Sequence, residues 1–109
     1  NTIAVIDRTN GRLVWAWGRG ELDGQHSARI LANGNILVFD NGLGRKRSRV
    51  VEIDPRQNRI VASLEPRDVE RFYTPGGGAS QRLPNGHTLV TETHKGRLME
   101  LTPSGDIVW

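Results

Sequence analysis

The chain has 109 residues, enough for one small domain built on a modest core. Hydrophobic residues make up 36% and charged residues 25%, a balance that excludes a disordered chain. The absence of cysteine excludes disulfides and thiolate metal sites and fits either a reducing or an oxidising compartment. A formal charge of +3 and a pI near 10.2 give a mildly basic surface, which attracts anions of any kind without selecting nucleic acid.

No apolar run approaches the ~20 residues that span a bilayer. Gly 13 and Pro 5 point to many turns, and so to an all-β chain. The chain opens in mid-strand on "NTIAVIDRTNGRLVW" and closes on "GDIVW", so further polypeptide is expected on either side. Residues 1–23 read as the last two strands of one unit and most of a connection, "RGELDGQ" at 19–25. Residues 24–66 read as a complete unit with strands at 27–31, 35–40, 48–54 and 59–64. Residues 67–109 read as a connection, "YTPGGGAS", and a second unit with strands at 79–83, 87–93, 96–101 and 106–109. The Asn-Gly pairs at 33–34 and 85–86 predict tight hairpins in which both turn residues take positive φ. Ile36–Phe39 and Val50–Ile53 lack polar alternation, as strands buried on both faces do.

The units repeat. "RILANGNILVFDNG" aligns with "QRLPNGHTLVTETH" at an offset of 52 (Asn33 to Asn85). "SRVVEIDPRQNRIV" aligns with "GRLMELTPSGDIV" at 48 (Pro55 to Pro103), the difference being a loop insertion, "GLGRKRS". A partial copy, "AVIDRTNGRLVW", precedes both. Four short strands in roughly 40–50 residues characterise a β-propeller blade. The expected fold is therefore all-β, a propeller segment of about two and a half four-stranded antiparallel blades. A propeller needs about 4–8 blades, so the remaining blades of the same polypeptide, or other copies of the chain, are expected partners. A small β-sandwich is the rival.

Residues present in one unit only are free to serve a site. The offset sets His26 against Gly78, so the unit itself does not require a histidine there. His26 precedes the first strand of its unit, and histidine, with a reference pKa of ~6.5, suits a nucleophile or general base. The alternative is a histidine that merely bonds a neighbouring loop. His87 reads as a solvated turn residue, and His94, in "TETHKGR", as a surface-loop residue. "GRKRSR", with Arg45, Lys46, Arg47 and Arg49, reads as a solvated, mobile loop or an anion-attracting rim. Gly76, Gly77 and Gly78 either let backbone approach a ligand or give a flexible connection. Trp15 and Trp109 read as packing on outer strands.

"GQHSA", "ILVFDNG", "SRVVEID", "FYTP" and "QRLPNGHTLV…GRLMELTPSGDIVW" run in order over nearly the whole chain and together resemble the bacterial arylsulfate sulfotransferase family. The resemblance implies a six-bladed propeller, exported to the periplasm, that passes sulfuryl groups from an aryl sulfate donor to a phenolic acceptor. It implies no nucleotide donor; no cofactor is expected, and a nucleic-acid partner is not expected of a chain with 6% aromatic residues and one basic stretch. It also implies a sulfohistidine intermediate, with His26 matching the nucleophile. Arg29 and Arg49 are then expected to neutralise sulfate, Asp40 and Asn41 to support the site, and Tyr73 and Thr74 to contact substrate. A non-catalytic propeller binding a small ligand or a protein is the second reading.

Overall fold

The computed structural model describes residues 1–109 and is all-β apart from a single 3₁₀ turn at Thr93–Lys95. Its nine strands form three antiparallel sheets. The first pairs β1 (Ile3–Ile6) with β2 (Leu13–Trp17). The second runs in chain order through β3 (His26–Ile30), β4 (Ile36–Asp40), β5 (Arg49–Asp54) and β6 (Arg59–Leu64). The third contains β7 (Ala79–Arg82), β8 (Thr88–Glu92) and β9 (Arg97–Leu101). The segment 106–109, expected as a further strand, runs along β9 without forming a full strand: Leu101 bridges Ile107, Val108 N–H donates to Glu100 O and Glu100 N–H to Trp109 O, while the Trp109 residue stands 68% exposed rather than packed. No helix is long and apolar enough to cross a membrane.

The unalternating apolar runs have the burial expected of them. Every residue of β4 is buried, because successive side chains point to opposite faces and each face meets a neighbouring sheet. Ile36 and Val38, registered against Ile53 and Val51, pack with Leu22 towards the first sheet, where Ile3, Val5, Trp15 and Trp17 cover them. Leu37, Phe39 and Val50 pack towards the third sheet with Phe72, Val90, Met99 and Leu101. The Phe39 and Phe72 rings meet edge to face, 5.7 Å apart at 73°. Each such side chain contributes roughly 1.5–3 kcal/mol by leaving water.

The hairpins form where the Asn-Gly pairs predict, with a different turn. Gly34 and Gly86 take positive φ (both 86°), but Asn33 and Asn85 do not. Leu31 N–H donates to Asn35 O and Gly34 N–H to Leu31 O, and the set recurs at Leu83, Gly86 and His87. These are three-residue loops closing on a left-handed glycine. The side chains of both asparagines reach a carboxylate on a neighbouring strand. Asn33 and Asn35 both donate to Glu52 Oε1, at 3.2 and 2.7 Å. In the third sheet Asn85 and His87 occupy Glu100 Oε1 in the same way, at 3.1 and 2.6 Å. His87 is therefore a half-buried partner of Glu100, not a solvated turn residue. Glu52 also binds Arg82 across the two sheets at 3.1 Å.

Both glutamates are held below their usual carboxyl range. At Glu52 burial alone would raise the value, but the bonds from Asn35, Asn33 and Arg82 outweigh it. At Glu100 the bonds from His87 and Asn85 are the main causes. A carboxylate depressed in the folded state stabilises above its unfolded value of about 4.5 and loses that contribution as pH falls through the folded value. The urea midpoint should accordingly hold from pH 7 to about 5 and fall below about 4.5. Glu52→Gln and Glu100→Gln should each lower the midpoint at pH 7 and flatten the fall.

Candidate functional site

The N-terminal end of β3 and the C-terminal end of β4 lie side by side, and a bulge sets the geometry there. His26 is registered against Phe39, yet Arg29 is registered against Leu37, so three steps on β3 face two on β4. The extra residue is absorbed at Ser27, whose φ of 55° lies in the left-handed region. A non-glycine there costs on the order of 1–3 kcal/mol, and bulges of this kind re-aim a neighbouring side chain. The corresponding strand β7 pairs with β8 without interruption, Ala79 against Thr91. The structural counterpart of His26 is therefore Ala79, one residue beyond the Gly78 that sequence offset selects.

His26 is exposed. Its Nδ1 lies 3.0 Å from Gly24 O and 2.8 Å from Asn41 Oδ1, and its Nε2 makes no hydrogen bond within the protein. Asn41 is fully buried and donates through Nδ2 to Thr74 O and Gly77 O, both at 2.8 Å. Ser48, also fully buried and unremarked in the sequence, closes the ring. Its hydroxyl donates to Asn41 O at 2.9 Å and accepts from Thr74 N–H at 3.0 Å. The connection before β7 is thereby fixed against the end of β4.

The structure thus joins His26, Asn41 and the Thr74 backbone. It sets Asp40 and Arg49 to different work. Asp40 is fully buried, accepts from Asp23 N–H at 2.8 Å, and binds Arg45 and Arg49, each at 2.9 Å. Arg49 also donates to Glu21 O. The third sheet has the same device: buried Glu92 accepts from Tyr73 N–H at 3.1 Å and pairs with Arg97. A carboxylate–arginine pair that occurs in both sheets is accounted for by fastening the incoming connection. The Thr74 hydroxyl is likewise used, donating to Gly76 O and accepting from His94 N–H. Tyr73 is half-buried under the Arg71 guanidinium, 5.0 Å from its ring centre. Arg71, Tyr73, Pro75, His94 and Lys95 line a basin of about 270 Å³. Arg29 is exposed and lines an apolar recess with Ile3, Val5 and Trp15.

Two loop expectations change. "GRKRSR" is not a free loop, because Arg45 and Arg49 bind Asp40 and Arg47 binds Glu65. The triple glycine is not a flexible joint. Gly77 and Gly78 have φ of 69° and 94°, and a Cβ on Gly78 would lie 2.5 Å from the Phe39 ring.

All 109 residues match the model of the arylsulfotransferase (ASST) family, and the chain belongs to that family. It is similar to a protein of unknown function from Bacteroides caccae whose crystal structure is known, at 23% identity and a TM-score of 0.62. That likeness concerns the fold, and it covers 97% of this chain but only 37% of the other. No curated protein matches the chain.

The glycine geometry gives a paired test. Gly78→Ala should lower stability by more than about 1 kcal/mol in denaturant titrations, being strained in φ and blocked by Phe39. Gly76→Ala, facing open space, should leave the midpoint nearly unchanged.

Proposed function

We propose that this chain is part of a β-propeller aryl sulfotransferase in which His26 carries the sulfuryl group between donor and acceptor. Stacked antiparallel sheets with short connections, two of them sharing their polar contacts, support reading the sheets as blades. One observation carries the catalytic reading. His26 is exposed on a strained bulge that the corresponding strand lacks, with one ring nitrogen engaged and the other open.

The step follows from that arrangement. The Nε2 lone pair of His26 attacks the sulfur of an aryl sulfate, forming an N–S bond as the S–O(aryl) bond breaks. The phenolate leaves with the bonding pair and is protonated by solvent. A second phenol, losing its proton to solvent, attacks the same sulfur and returns the electron pair to Nε2. Of the two arginines assigned to sulfate, Arg49 is committed to Asp40, whereas Arg29 has no ion-pair partner. Arg29 is thus free to carry an anion, although it lines the recess beside Ile3, Val5 and Trp15 and not the ring around His26. The family supports the donor and acceptor classes.

Turnover of 4-nitrophenyl sulfate with a phenol acceptor by the full-length protein tests the reading. His26→Ala should lower kcat roughly 10³-fold or more, and ³⁵S from labelled donor should be trapped on His26 of the wild type. An unchanged rate in the variant would sink the assignment.

A further inference from the structure

The geometry points to Asn41 as a positioning residue that decides which nitrogen of His26 carries the proton, an inference that rests on His26 being the nucleophile. Thr74 O and Gly77 O have no proton to give, so only the amide NH₂ of Asn41 can face them. That fixes the amide orientation and turns Oδ1 towards His26. Gly24 O stands at the same ring nitrogen. Flanked by two acceptors, Nδ1 must be the N–H, and in a neutral imidazole this leaves Nε2 with the lone pair.

The lock is built from two connections. Gly24 comes from the one before β3, while Thr74 and Gly77 come from the one before β7. Rotation of Asn41 would leave a fully buried amide facing its acceptors with the wrong atom. The same arrangement favours the transition state. As Nε2 bonds to sulfur the ring gains positive charge, Nδ1–H becomes a stronger donor, and its bonds to Asn41 and Gly24 strengthen. The Nδ1 proton stays in place throughout, so transfer at Nε2 requires no proton to move on the ring.

The test is ¹⁵N NMR of selectively labelled histidine in the full-length protein, at a pH where His26 is neutral. The expected spectrum has Nδ1 protonated and Nε2 bare, and the trapped sulfuryl group should sit on Nε2. Asn41→Ala should shift the tautomer balance towards Nε2–H and lower kcat about 10- to 100-fold with little change in KM. A wild-type Nε2–H signal overturns the proposal even where His26→Ala abolishes turnover. So does a sulfuryl group on Nδ1, or an unchanged kcat in a folded Asn41→Ala protein. Should that variant not fold, the wild-type spectrum and the site of trapping decide alone. Continued turnover by His26→Ala would instead remove the nucleophile reading beneath the proposal.

Discussion

Strand β4 has no face towards water, and most of the molecule's polar architecture follows from that. Its apolar residues are divided between two cores, one towards each neighbouring sheet. Where the strand ends, the chain still lies within the buried layer, so Asp40 and Asn41 reach full burial as polar groups. A buried carboxylate or amide is costly unless every strong hydrogen-bonding position is used. Asp40 accordingly gathers a backbone N–H and two guanidinium groups. Asn41 gathers two carbonyls and an imidazole. What looks like a designed site is, in its lower half, the ordinary satisfaction of groups at the end of a doubly buried strand.

The second and third sheets solve the same problem with nearly the same parts, and the point at which they diverge is informative. Glu52 and Glu100 tie their hairpins in the same way, and Asp40 and Glu92 fasten the incoming connections in the same way. These contacts account for the residues without reference to a ligand. The bulge at Ser27 has no such account, since β7 reaches the equivalent place unbulged and unstrained. The left-handed φ of Ser27 is the feature beside His26 that the repeated contacts leave unexplained, and the role proposed for His26 rests on it.

Strand positions were legible in the sequence because burial on two faces leaves uninterrupted apolar runs. "ILVFD" and "VVEID" carry that pattern, and their bounds differ from expectation by a residue at most. Turn type was less legible. Asn-Gly predicts two positive φ values, but the cross-sheet pull of Glu52 on Asn33 depends on a partner 19 residues away. His26 stood out by having no counterpart, whereas its bulge did not, since one extra residue leaves no mark on an alignment. Ser48 and the role of Thr74 were hidden for a further reason: both act through bonds between segments 26 residues apart.

The partner chosen for each histidine separates structure from chemistry. His87 faces a carboxylate, and the pair holds Glu100 ionised. That suits a contact whose task is to hold a hairpin. His26 faces an uncharged amide and a backbone carbonyl. These two acceptors orient the ring at Nδ1. Asparagine at position 41 serves both sides, its NH₂ facing Thr74 O and Gly77 O, where a carboxylate would set oxygen against oxygen, and its Oδ1 facing the ring. For the nucleophilic role proposed for His26, a ring held at Nδ1 with Nε2 left open is what this arrangement supplies.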